Sequence, residues 1–71
     1  MIMIMKMNTL IKEYRNIIDT PMKVEVKKEL LTRLILQLDG LIFENIDLKQ
    51  KKKEFIKKIQ YVLHILDNIK N

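Results

Sequence analysis

The chain has one proline and one glycine in its 71 residues, and where they fall decides what it can fold into. Proline cannot extend the helix before it, and glycine commonly stands just past a helix end. Pro21 and Gly40 therefore cut the sequence into three stretches, each with apolar residues at the three-and-four spacing of one helix face. In the first, Met7, Leu10, Ile11, Tyr14, Ile17 and Ile18 share a side, opposite Lys12, Glu13, Arg15 and Asn16. In the second, Val26, Leu30, Leu31, Leu34 and Leu38 form the stripe, widened by Val24, Ile35 and Leu36. The third buries Leu48, Phe55, Ile56, Ile59, Val62, Leu63, Leu66 and Ile69 and turns Lys49, Lys53, Lys57, Gln60 and His64 outward.

These stripes predict helices over about residues 5–18, 21–39 and 47–70. Thr20 is a suitable N-cap for the second helix, with Pro21 in its first turn, and Asp47 for the third. Gly40 is expected to take the left-handed conformation that closes a helix. The alternating Met/Ile start is frayed or helical, because no second strand exists to pair with it. The connection from Leu41 to Ile46 is short, which favours antiparallel neighbours, and its apolar side chains should tuck under the end of the bundle. The expected fold is all-α: a single domain over residues 1–71, an antiparallel three-helix bundle with a short first helix.

A domain of this size hides only about 60% of the surface its unfolded chain exposes, so its stability is modest. There is no cysteine, hence no disulfide or thiolate framework, and a reducing compartment such as the cytoplasm is expected. With no serine, no cysteine and a single histidine, the chain lacks the nucleophile-plus-base pairs of hydrolytic catalysis. No catalytic residue, metal site or cofactor is expected, and the chain reads as a binding module. The net charge of +5 comes almost entirely from lysine, a mobile point charge that attracts phosphates or acidic proteins without fixing one geometry. No stretch approaches the roughly 20 apolar residues of a membrane span, and the short Met/Ile start does not suit a signal peptide.

Two runs carry a family resemblance. Leu34-Ile35-Leu36-Gln37-Leu38-Asp39 is a leucine-rich helix end closed by an acid. Lys51-Lys52-Lys53-Glu54-Phe55-Ile56-Lys57-Lys58-Ile59-Gln60 is a basic run, an apolar pair and a K-x-I-Q sequence. Over roughly the last two thirds of the chain this resembles the second and third helices of a BAG domain, as in the short fungal-type co-chaperones, whereas the first helix matches only in being amphipathic. Those relatives often carry an N-terminal membrane anchor, which is not expected here. The resemblance implies a partner, the ATPase domain of a 70-kDa heat shock chaperone, and an activity, the promotion of ADP release.

Carried across by position, the chaperone-binding residues it implies are Glu29 and Asp39 on the second helix and Lys52 and Gln60 on the third. Thr32, Arg33, Leu36, Lys49, Lys53 and Ile56 would complete the interface. Arginine is usual in the family where Lys52 stands, and lysine offers a single charged tip in place of a two-pronged grip. Each pair of anchors is offset by about 80° around its helix, which suits a broad face more than a narrow stripe.

Without the resemblance, Glu29 and Asp39 are ordinary solvated helix positions and Lys51 to Lys53 a charged flank. The alternative function is a small basic protein associated with the ribosome or RNA through its lysine-rich face, with affinity that falls steeply with salt. An amphipathic element lying on a membrane is weaker, since the apolar stripes suit one another. His64 is expected on the surface, and Tyr14, Tyr61, Phe43 and Phe55 as packing residues.

Overall fold

The structure is a computed structural model that describes residues 2–69, with side chains described from residue 4. It consists of α1 (Ile2–Asp19), α2 (Val24–Asp39) and α3 (Ile46–Asp67), a rod of 42 × 18 × 16 Å. Successive helices run antiparallel, and α2 packs closely against both of its neighbours. The core is apolar throughout: Met7, Leu10, Tyr14 and Ile17 from α1, Leu31, Leu34 and Leu38 from α2, Ile59 from α3, and Leu41 and Phe43 from the second connection. Among the described residues no polar or charged side chain is buried. That follows from the three stripes, each presenting only hydrocarbon or an aromatic ring to the interior. The three-helix, all-α architecture is the one expected from the sequence.

Several local expectations are corrected. The first helix is not short: it starts at Ile2 and, with 18 residues, is longer than α2 with 16. Thr20 does not cap α2. Its N–H donates to Asn16 O (3.0 Å) and its hydroxyl to Asn16 Oδ1 (3.3 Å), so it finishes α1. A residue before proline is driven away from helical geometry, and α1 accordingly ends at Asp19, with Thr20 and residues 21–23 outside both helices. Lys23, extended at φ −62° and ψ 145°, is the N-cap and makes no side-chain capping bond.

Gly40 is right-handed, at φ −75° and ψ −12°. It ends α2 by giving its N–H to the carbonyls of Leu36 and Gln37, both at 3.2 Å. A Cβ there would meet the Gln37 carbonyl oxygen at an ordinary 3.4 Å. Glycine is not needed at this position for its conformational freedom.

The third helix starts one residue earlier than expected and is capped by Asn45 in place of Asp47. Asn45 Oδ1 accepts from the N–H groups of Asp47 (2.8 Å) and Leu48 (3.3 Å). Asp47 sits instead in the first turn, where its charge faces the positive end of the helix dipole. The helix stops at Asp67; residue 70, its expected end, lies outside the described residues.

The connection between α2 and α3 divides its apolar residues. Leu41 and Phe43 are buried, whereas Ile42 and Ile46 are 75% and 78% exposed. Residues 41–44 belong to no helix, and buried and exposed side chains alternate along them, so only half of the apolar ones tuck under the bundle. Val26, Ile18 and Ile69 are also exposed, contrary to their place in the stripes. Val26 lies in the first turn of α2 on the side away from the core, Ile18 near the end of α1 at the rim of its stripe, and Ile69 beyond the end of α3.

α1 and α3 meet through large side chains. The rings of Tyr14 and Phe55 pack edge to face at 5.3 Å and 86°, a favoured aromatic arrangement. The Lys58 ammonium stands 5.9 Å from the Tyr14 ring centre. Burial raises the Tyr14 phenol above its ordinary 10.0.

Candidate functional site

The side of the bundle formed jointly by α2 and α3 is fixed by two side-chain links. Lys28, near the start of α2, forms an ion pair with Asp67 at the end of α3. At the other end, Lys52 Nζ donates to Leu41 O at 2.8 Å. Both ends of the seam are thereby tied in antiparallel register.

Helical rotation places the remaining residues. Leu31 points into the core. At about 100° per residue, the residues met on turning from it toward α3 are Ile35 and Lys28, then Asp39 and Thr32, then Leu36 and Glu29. On α3, turning from buried Ile59 toward α2 meets Leu63 and Ile56, then Lys49 and Gln60, then Lys53. Asp39, Thr32, Lys49 and Gln60 thus flank the seam on either side, all exposed, with partly buried Ile35 and Ile56 between them. Leu36 is 66% exposed, an apolar side chain left in water on the same flank. This is also a correction: Leu36 was expected to widen the buried stripe, and the rotation carries it past the edge.

Apart from the Lys28–Asp67 pair, whose charges offset each other, the face is bipolar, with acid on α2 and base and amide on α3. Glu29 sits at its outer margin, where Oε1 accepts from Arg33 Nη2 at 2.8 Å. Both partners are well exposed, and pairs of this kind are worth only about 0.3–0.5 kcal/mol. Arg33 itself lies beyond Glu29, turned away from the seam, and reaches the face only through that bond. Lys52 differs from the other charged positions: it is partly buried, rotated toward the core side of α3, with its ammonium engaged by the connection.

Two features of the site were missed by sequence reasoning. The Lys28–Asp67 link was signalled only by opposite charges at positions that become neighbours once the helices are antiparallel. The Lys52 bond had no local signal, since its acceptor is a backbone carbonyl in the connection. Asn45, by contrast, could have been found, because an asparagine two residues before the chosen Asp47 suits the N-cap equally well.

Among the described residues there is no group of three or more side chains suited to hold a metal ion, and no helix long and apolar enough to cross a membrane. Two open grooves flank α1. One, of about 620 Å³, lies between the start of α1 and the end of α2, lined by Met5, Thr9 and Gln37 among others. The other, of about 340 Å³, lies between α1 and α3 beside Tyr14 and Phe55. Neither reaches the α2–α3 face.

The family model for the BAG domain matches residues 4–69, nearly the whole chain. The match takes in α1, which on sequence features alone was similar only in being amphipathic. No curated protein and no solved structure matches the chain significantly.

Proposed function

Because this chain belongs to the BAG domain family, a family of co-chaperones rather than of catalytic enzymes, we propose that it binds the ATPase domain of a 70-kDa heat shock chaperone and promotes release of ADP. The observation that carries this reading is the family match together with the exposed, bipolar α2–α3 face. Glu29, Asp39 and Gln60 are its proposed contact residues, with Thr32 and Leu36 from α2 and Lys49, Lys53 and Ile56 from α3 around them. Lys52 lies at its inner edge.

The mechanism is a shift of populations. Nucleotide stays bound when the two lobes of an ATPase cleft are closed around it. A stiff surface that fits those lobes better when they are spread favours the open state by its difference in affinity, and the nucleotide's hold weakens by the same factor. A tenfold effect requires about 1.4 kcal/mol of coupling. The partner's matching groups must be basic opposite α2 and acidic or polar opposite α3.

The test is release of labelled ADP from such a chaperone, with the parent chain and with Glu29→Lys combined with Asp39→Lys. The parent should accelerate release about tenfold or more. The double reversal should remove the acceleration while helicity, read by circular dichroism, is retained. A well-folded double variant as active as the parent sinks the assignment of the face.

A further inference from the structure

The docking face contains a lysine whose charge is already engaged. Leu41 is buried and stands two residues beyond the end of α2. Its N–H bonds to Leu38 O at 3.0 Å, but among the described residues no backbone N–H reaches its own carbonyl. A carbonyl in a buried residue needs a donor, and Lys52 Nζ supplies it at 2.8 Å from a side chain that is itself partly buried. An ammonium makes this a charge-assisted bond, shorter and stronger than a neutral one.

Rotation around α3 explains the choice. Relative to buried Ile59, Lys52 lies only about 20° round the helix, whereas Lys49, Gln60 and Lys53 lie at about 80°, 100° and 120° on the α2 side. Lys49 and Lys53 are exposed one turn apart and flank Gln60 in direction. Lys52 points under the connection, and its neighbours point out of the face.

We infer that Lys52 is a positioning residue, a clasp that holds the α2–α3 connection and so sets the spacing of the two helices, and that Lys49 and Lys53 supply the positive charge of the docking face to an acidic surface on the partner. The second half rests on the proposed chaperone binding; the first does not. The position where the resemblance implies a direct basic contact has here become part of the frame, and the contact moves to the lysines beside it. The stem of Lys52 crosses from α3 to the connection, so its loss loosens the geometry of the face without removing a charge from its surface.

The experiment uses the full chain and three variants: Lys52→Met, Lys52→Arg, and Lys49→Ala with Lys53→Ala. Amide hydrogen exchange is measured without partner at Gly40 and Leu41, whose N–H groups are bonded where the connection leaves α2, and affinity for the chaperone ATPase domain is measured across a salt series. Lys52→Met should exchange about tenfold faster at those amides, the loss expected for one charge-assisted bond, while its salt dependence of binding parallels the parent's. The double variant should keep the parent's exchange, bind about tenfold or more weakly, and show a flatter salt dependence.

Should Lys52→Met prove too unstable to measure, Lys52→Arg decides. A clasp predicts parental exchange and an affinity within about threefold of the parent, whereas a direct contact predicts a larger gain from the two-pronged grip of arginine on a carboxylate. Unchanged exchange in Lys52→Met, a flattened salt dependence in that variant, a larger gain with arginine, or parental binding by the double variant overturns the inference. If the parent chain does not bind the ATPase domain, the chaperone reading and the charge assignment fall together. The exchange data then still judge the clasp on its own.

Discussion

The two joints of the bundle are held very differently. Between α1 and α2 residues 21–23 belong to no helix, Thr20 bonds backward into α1, and Lys23 caps α2 without a side-chain bond. Among the described residues the one side-chain hydrogen bond across this joint is a long one, from Lys27 Nζ to Ile18 O at 3.4 Å, at the surface. Between α2 and α3, Leu41 and Phe43 are buried, Asn45 satisfies two N–H groups of the third helix, and Lys52 grips the connection from below. The better-tied joint is the one between the two helices of the proposed docking face. A docking face that is already at its binding geometry avoids the ordering cost that a loose one incurs on association, and a wedge that yields cannot hold a cleft open. α1 packs from behind and needs no such precision.

The largest expected effect comes from emptying the better-built joint. Phe43→Ala removes a buried ring from the connection, and buried aromatic truncations cost about 3–5 kcal/mol. A domain of this size has roughly 4–10 kcal/mol in all, so urea unfolding should show a loss approaching half of the total or more. Parental stability in that variant would mean that the α2–α3 joint is not held by its interior. A smaller contrast compares the two joints directly. Asn45→Ala removes the two-bond cap and should cost about 1 kcal/mol. Thr20→Ala removes a hydroxyl bond at the surface of the weaker joint and should change stability by no more than about 0.5 kcal/mol. Equal losses from the two substitutions would erase the difference between the joints.

What the sequence made legible follows the range of the forces involved. The three helices and most of their buried faces came from periodicity, because burial of a stripe is repeated over several turns and one misplaced residue does not change the pattern. Helix ends depend on a few bonds and were harder: Thr20 and Asp47 have the chemistry of caps, but Thr20 is drawn back to Asn16 and Asn45 takes the place of Asp47. Gly40 suggested a left-handed closure that the right-handed turn does not use. For the candidate site, rotation around α2 and α3 sufficed to bring Asp39, Thr32, Lys49 and Gln60 to one seam. The engagement of Lys52 could not be read, since it depends on a carbonyl brought near only when the connection folds under the bundle. Exposed Leu36, Ile42 and Ile46 were likewise hidden by apolar identity, which marks a residue as fit for burial without saying that it is buried.

The smallest effect at neutral pH tests the looser side of the molecule, where α1 leans on α3 through Tyr14. The phenol is held above its ordinary 10.0 by burial, so over the interval between that value and the raised one the folded chain keeps a proton that the unfolded chain has released. Stability therefore falls as pH rises through this interval, and the contribution is fully present below pH 10. Tyr14→Phe preserves the edge-to-face contact with Phe55 and offers the same ring to Lys58, but has no proton to lose. At pH 7 the two proteins should unfold within about 0.5 kcal/mol of each other. At about pH 11 the parent should have lost more stability than the variant; lysines titrate in both, so their contribution cancels in the difference. Curves that stay parallel from neutral to alkaline pH would show that the Tyr14 ring is not desolvated against α3, and that the first helix is held to the third more loosely than its aromatic contact implies.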